Sequence, residues 1–287
     1  MKYWFIDQYR CLHRVQKMCM VIGASRSGYY RWNRQPQGKR QMENEKILLE
    51  IRQSHKNSHR AYGSPRITLD LKANGTKCSK NRVARLMKKN GILGKAKKKF
   101  KATTNSNHNL PVAENLLKQN FTAQKPNTVW VSDITYIWTL EGWLYIVVIL
   151  DLYSRQVVGW AMSNRLTSDF VIKALNQAIG RRNPGTCCIF HSDRGVQYAS
   201  ADFRNVLKGH DFIQSMSRKG NCYDNAVAES FFHTLKIEHV YGHRYETRAD
   251  ARQSIFNYIE IFYNRQRRHS ALGYLSPVSF ELESMVA

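Results

Sequence analysis

Three things are scarce in this 287-residue chain: paired cysteines, long apolar runs and acidic side chains. Its six cysteines are Cys11, Cys19, Cys78, Cys187, Cys188 and Cys222, and no two of them stand at Cys-x-x-Cys spacing. They read as reduced thiols of a cytoplasmic protein, which excludes a disulfide scaffold and a zinc ribbon. If a strand carries Cys187 and Cys188, the two point to opposite faces. His55 and His59 lie four apart, but with no cysteine pair after them they read as solvated helix-end residues. The longest apolar run, residues 144–150, suits a buried strand and falls far short of the roughly 18 residues that span a bilayer. Residues 1–6 are apolar but too short for a signal peptide. No membrane partner is expected.

The acid deficit says more. Against 45 Lys and Arg there are 21 Asp and Glu, a net charge of +24, which calls for a polyanion. Residues 1–110 hold 26 bases against 5 acids, whereas residues 111–287 hold 19 against 16. This asymmetry predicts a nucleic-acid-binding front joined to a nearly neutral second part.

In residues 1–38, Val15, Met18, Cys19 and Ile22 keep a helical rhythm that Gly23 breaks. Ser25 is then placed to cap a short helix carrying Tyr29, Tyr30 and Trp32. This is either a helix-turn-helix or a helical hairpin that docks on a neighbour. Residues 39–93 predict three helices: one near 42–54 with Ile47, Leu48 and Ile51, one with Ile67, Leu69 and Leu71 stopped at Asn74-Gly75, and one capped by Ser79 with Val83, Leu86 and Met87 inward. Lys80, Arg82, Arg85, Lys88 and Lys89 fall on the other faces of that third helix, the candidate recognition helix of a helix-turn-helix domain. A basic linker, 94–125, follows. Its Lys97, Lys98 and Lys99 are suited to tracking DNA phosphates.

Residues 126–287 change pattern. Strands are predicted at 128–139, 143–152 and 156–163, then a helix at 168–182, a strand at 186–191, a helix at 200–209 and a short strand at 212–215. A polar loop, 217–221, leads to a helix ending near 239, and a last long helix spans 248–264. This order predicts an α/β fold with a mixed sheet covered on both faces. Asp133 interrupts an apolar strand, Asp193 ends another, and Glu229 follows Asn225, a candidate N-cap. If the two strands are neighbours, Asp193 sits at a carboxyl end open to ligand, and three hard oxygen donors converge there. Such donors suit Mg²⁺, with Mn²⁺ as a substitute, and two ions would serve phosphodiester chemistry. Lys236 shares a helical face with Glu229 and His233 and is placed for a DNA phosphate. Asp151 fits a turn or a fourth acid; Asp224, Asp169, Asp202 and Asp250 fit helix starts. Arg265, Arg267 and Arg268 form a basic cluster that either grips DNA or packs the domain.

Asp133, Asp193 and Glu229, with 35 residues between the last two, resemble the D,D-35-E triad of retroviral integrases and transposases. The words around them, Trp130–Tyr136, His191–Tyr198, Asp224–Phe232 and Tyr263–Pro277, resemble bacterial insertion-sequence transposases encoded in two overlapping frames, and this chain resembles the second-frame product. The resemblance covers essentially the whole chain. It implies an RNase H-like, integrase-type catalytic core behind a small all-α region. It also implies 3′-end cleavage and strand transfer of an insertion sequence, with Asp133, Asp193 and Glu229 as catalytic metal ligands. Partners implied are the element's terminal repeats, target DNA, the upstream-frame product as a frameshift fusion, and further copies of the chain on nucleoid DNA. The zinc-binding His/Cys domain of retroviral integrases has no counterpart here. A non-catalytic DNA-binding regulator and a structure-selective nuclease are the competing readings.

Overall fold

The computed structural model describes residues 1–34, 38–95, 110–218 and 222–286. The chain divides into two compact units, Met1–Asn57 with Tyr62–Leu93, and Ser58–Ala61 with Gly94–Ala287.

The first unit is helical. Helices α1 (Lys2–Gln8), α2 (Val15–Ile22) and α3 (Arg26–Arg34) close on Ile6, Met18, Cys19 and Tyr29. Gly23 ends α2 in the left-handed conformation (φ 62°), and Ser25 Oγ accepts from the Gly28 N–H at the start of α3. Helices α4 (Lys39–Asn57), α5 (Ser64–Ala73) and α6 (Lys80–Lys89) pack pairwise. Ile47, Ile51, Ile67, Leu71, Val83, Leu86 and Met87 are buried, as the periodicity predicts, while Leu48 and Leu69 are only half-buried. Ser79 caps α6, accepting from the Arg82 N–H at 3.2 Å. Polar ties span the core: Ser54 Oγ donates to Asp70 at 2.6 Å, and Thr76 Oγ1 donates to Glu50 at 2.6 Å.

The second unit is built on strands β1 (Val129–Thr139), β2 (Gly142–Asp151), β3 (Val157–Ser163), β4 (Ile189–Ser192) and β5 (Ile213–Met216), ordered β3-β2-β1-β4-β5. The first three are antiparallel, and β4 and β5 run parallel to β1. Helix α7 (Ser168–Arg182) packs on β2 and β3, setting Phe170, Val171, Ala174 and Ala178 against Val147, Ile149 and Val158. Ile146, Val148 and Leu150, of the other parity in β2, are buried as well, so both faces are covered. Gly159 lets α7 approach: a Cβ there would meet the Ala174 carbonyl oxygen at 2.4 Å.

Several elements differ from the pattern reading. The strand expected from 186 begins only at Ile189, because Cys187 is left-handed (φ 65°) and donates its N–H to the Asp211 carbonyl. The two cysteines therefore precede the strand, Cys187 exposed and Cys188 buried. The helix expected at 200–209 is preceded by a short one, α8 (Val196–Ala199), and Ser200 caps α9 (Ala201–Gly209). Helix α10 spans Ala226–Glu238. The predicted last long helix is α11 (Arg248–Phe256) continued by a π-helix, Asn257–Tyr263, whose wide turns bury Tyr258, Ile259, Phe262 and Tyr263 together. A final helix, α12 (Pro277–Val286), lies beyond the elements that the pattern predicts; its Glu281 accepts from both terminal nitrogens of Arg182 at 2.8 Å. Within the expected linker, residues 114–119 lie against β5: the Leu116 N–H donates to Ser215 Oγ, and the Met216 N–H donates to the Glu114 carbonyl.

Candidate active site

Parallel pairing does the first work. Val131 stands opposite His191, the last pair of the β1–β4 ladder. Asp133 follows two residues on in β1 and Asp193 directly after β4, and the two carboxyls feel each other's charge. The Ile134 N–H donates to Asp133 Oδ1 at 2.8 Å, and the Gly195 N–H donates to Asp193 Oδ1 at 2.9 Å. Burial pushes the Asp133 carboxyl well above the usual carboxylate range. The Asp193 charge raises it further, the Ile134 N–H opposes this, and Glu229 adds a smaller push. Glu229, in the first turn of α10, is raised by burial and then by Asp193. Three like charges are thus electrostatically coupled at one end of the sheet.

Beneath them lies a hydroxyl pair. Ser132 Oγ donates to the Val148 carbonyl, so the wholly buried Tyr198 O–H donates to Ser132 Oγ at 2.8 Å. Burial, then Asp193 and Asp133, hold the Tyr198 phenol far above its ordinary pKa. Lys236, expected to hold a nearby DNA phosphate, lies within the fold beside the acids. It is 7 % exposed, its ammonium lies 5.2 Å from the Tyr136 ring, and burial lowers its pKa while Asp133 raises it.

A second network fixes where α10 begins. His191 Nε2 bonds the Asp224 carbonyl at 2.9 Å, so that nitrogen carries the proton, and Nδ1 accepts from Ser215 Oγ at 2.8 Å. Burial lowers the imidazole to about 4, which keeps it neutral. Asp224 is not a helix-start cap. Its buried carboxylate accepts from the Arg218 backbone N–H, both arms of the Arg218 guanidinium, Asn115 Nδ2 and Gln119 Nε2, all within 3.0 Å. The Arg218 guanidinium holds this carboxyl well below the usual range. Asn225 stands at the N-cap position of α10 without capping it. Its Nδ2 donates instead to the Ser132 carbonyl at 3.0 Å, joining the helix start to β1 one residue before Asp133.

Pattern reading misses Tyr198, His191, Asn115, Gln119 and Arg218. Tyr198 and His191 lie inside the word around Asp193, which is a usable signal. Nothing in the sequence marks Asn115 or Gln119 as partners of a residue more than 100 positions away. Asp151 is structural: its oxygens accept from the Asn127 and Tyr153 N–H groups, with Arg182 at 3.5 Å.

The other basic residues divide. Lys80, Arg85, Lys88 and Lys89 are exposed on α6. Arg82 turns inward, pairing with Glu43 at 3.0 Å and Asn44 at 2.9 Å, so it ties α6 to α4. Arg267 is buried against Glu238 and not offered to DNA, because both guanidinium arms bond that carboxylate at 2.7 Å. Arg268 is half-buried beside the Tyr274 carbonyl, and Arg265 is exposed. Lys97, Lys98 and Lys99 lie outside the described residues.

Among the described residues no group of three or more His, Cys, Asp or Glu stands as a ready-made metal cluster. The donor chemistry nevertheless fits a hard divalent cation: carboxylates alone, with Asp133 burdened by burial and by its neighbour's charge.

Comparison with known proteins places the chain. Residues 42–100 match the family described as an HTH-like domain; residues 123–222 and 229–285 match two families, each described as an integrase core domain. The transposase InsF for insertion sequence IS3A of Escherichia coli (strain K12) is 44 % identical over 287 residues, 99 % of this chain and 100 % of that one. An uncharacterized 31 kDa protein of insertion element IS600 from Shigella sonnei is 48 % identical over 92 % of this chain and 97 % of that one. Among solved structures, the simian T-cell lymphotropic virus intasome in complex with a PP2A regulatory subunit aligns at TM-score 0.48 and 16 % identity, over 80 % of this chain and 74 % of that one.

Proposed function

This chain belongs to the transposases of IS3-type insertion sequences, and on that premise we propose that Asp133, Asp193 and Glu229 form its DDE centre. The family's integrase core makes it an enzyme of the polynucleotidyl transferase type, acting in DNA transposition. The reaction is 3′-end cleavage at the element's terminal repeats followed by strand transfer of the freed 3′-hydroxyl to another phosphodiester.

The observation that carries this reading is the charge coupling of Asp133, just past the β1–β4 ladder, with Asp193 at the end of β4 and with Glu229 in the first turn of α10. Asp133 and Asp193 would hold one Mg²⁺, and Glu229 with Asp133 a second, Mn²⁺ substituting. When bound, the cations supply Lewis-acid activation of the attacking oxygen and neutralise charge at the phosphate. The chain's own residues set the geometry. The two aspartates are held by the Ile134 and Gly195 N–H groups, and α10 is held at its start by Asp224 and Asn225. Tyr198 is wholly buried, and burial with the nearby aspartates holds its phenol above its ordinary range.

DNA is gripped elsewhere, through Lys80, Arg85, Lys88 and Lys89 of residues 39–93, through Lys97, Lys98 and Lys99 in the linker, and through Arg265. Residues 1–38 add a second helical module, and 126–287 form the catalytic domain. The active species is a fusion with the upstream-frame product, oligomeric on nucleoid DNA in the cytoplasm. No helix of the described residues is long and apolar enough to cross a membrane.

The test is circle formation in cells from a plasmid carrying the element ends, with both frames supplied as a fusion. Wild type yields junction DNA, and Glu229→Gln reduces it at least a hundredfold with protein level and DNA binding unchanged. Equal junction yield from the two would remove Glu229 from the chemistry. A wild type that cuts ends but never joins them would make the protein a nuclease.

A further inference from the structure

Helix α7 covers only part of the sheet face on which it packs. Ile134, Val147 and Ile149 of that face lie in its core. Toward the β1–β2 turn the same face carries Tyr136 opposite Tyr145 and Trp138 opposite Trp143. Here Trp138 is 56 % exposed and Trp143 44 %. The other face is closed at the same level, with Ile137, Thr139 and Leu144 all buried. The exposure is therefore one-sided and not the fraying of a hairpin end. Tyr136 meets Trp143 at 4.8 Å between ring centroids, and Trp143 meets Trp138 at 4.7 Å, both edge to face. Each ring is held by its neighbour, so a flat ligand that stacks there has little side chain left to order.

Charge and position say which ligand. The ladder of rings starts three residues after Asp133. Its Tyr136 ring lies 5.2 Å from the Lys236 ammonium, which in turn feels the Asp133 charge. Between Ser132 and the turn, this face of β1 and β2 carries no acidic side chain. Glu141, in the turn, is engaged, accepting from the Arg248 N–H at 2.8 Å. Arg165 is exposed just beyond Ser163, which pairs with Tyr145. Aromatic rings bordered by cations suit nucleic acid, whereas a second copy of a chain at +24 is repelled. A paired base keeps both faces inside the duplex stack, so only an unpaired base can use the rings. We propose that Trp138 and Trp143 stack an unpaired base of the DNA strand that runs into the acidic site. Resting on the DDE reading above, this gives the catalytic domain a base contact of its own. Trp138 stands five residues past Asp133. That is about 17 Å of strand, or about five nucleotides at duplex spacing.

The experiment uses the full chain without divalent cation, so that no strand is cut. Two duplexes compete, one with a 3′ single-strand thymidine tail of about five nucleotides and one with an abasic tail of the same length. The tails carry the same phosphates and differ only in their bases. Wild type prefers the thymidine tail on the order of tenfold, the worth of one stacked base. Trp138→Ala and Trp143→Ala bind the two tails alike, with melting temperatures matched to wild type. Trp138→Phe, which keeps a ring, keeps most of the preference. A wild type indifferent to the bases overturns the proposal without recourse to any variant. So does a preference that survives in both alanine variants.

Sedimentation of the DNA-free protein tests the rival occupant, a second copy. If Trp138→Ala turns a wild-type dimer into monomers while the tail preference stays intact, the face belongs to that copy and the stacking is overturned. An unchanged sedimentation profile with the preference lost is the expected result. Joining of a pre-cut end by wild type and by Glu229→Gln, with Mg²⁺ present, is read in parallel. If the two join equally, the DDE reading falls. The tail preference, measured without metal, still decides the role of Trp138 and Trp143.

Discussion

Arg267 shows how little a basic residue's place in the sequence says about what it touches. It sits in a run of cations, yet it is 4 % exposed and spends both guanidinium arms on Glu238, which also accepts from the Tyr258 hydroxyl. Removing one member of a buried pair strands the other charge, which costs about 3–5 kcal/mol, whereas removing both together costs far less. Arg267→Ala is therefore expected to lose about that much stability in chemical denaturation. Combining Arg267→Met with Glu238→Leu should restore most of it. If instead Arg267→Ala kept full stability and lost DNA affinity, the residue would be a DNA contact after all. The same logic separates Lys236 and Arg82 from the exposed cations, since each is already engaged within the fold.

Among the elements, α10 and α7 decide whether the site exists. The start of α10 is held through Asp224 to residues 115–119 and Arg218, and through Asn225 to β1. Helix α7 presses on the sheet at Gly159, where a methyl group would come within 2.4 Å of the Ala174 carbonyl oxygen and 2.7 Å of the Ala178 Cβ. Both are rigid parts of a helix, so the helix itself must move. Gly159→Ala should destabilise the second unit by roughly 1–3 kcal/mol, the usual range for overpacking. Melting temperature reads this directly, and an unchanged value would mean that α7 sits further from β3 than the contact implies.

Across the whole molecule, charge and chemistry are assigned to different stretches of chain. The bases concentrate before residue 110, and the coupled acids lie after it. If α6 meets the phosphate backbone, each exposed cation lost from it should flatten the dependence of log K on log salt by about 0.9. Arg85→Ala with Lys89→Ala should then lower the slope by about two and weaken binding to all sequences alike, without changing joining per bound complex. A loss confined to terminal-repeat DNA at an unchanged slope would assign these residues to base edges instead.

Local periodicity and local words carry whatever is legible in the amino-acid sequence alone. Helix and strand rhythms mark most elements, because burial repeats every two residues in a strand and about every 3.6 in a helix. Ser79 is legible as a cap because capping is decided within four residues. The triad is legible because its three residues sit in distinctive words. Helix α12 escapes notice because its docking depends on Glu281 meeting Arg182, about a hundred residues away. The break at Cys187 comes from a left-handed residue paired with Asp211, which no pattern of apolar residues encodes. Sequence by itself determined the composition of the proposed site, its charge and its order along the chain. Only the tertiary structure decided that β4 lies beside β1, that Asp224 is a hub rather than a cap, and that Arg267 is buried rather than offered. Each of those is settled by contacts between distant segments, whose closure depends on the whole packed core and leaves no local trace.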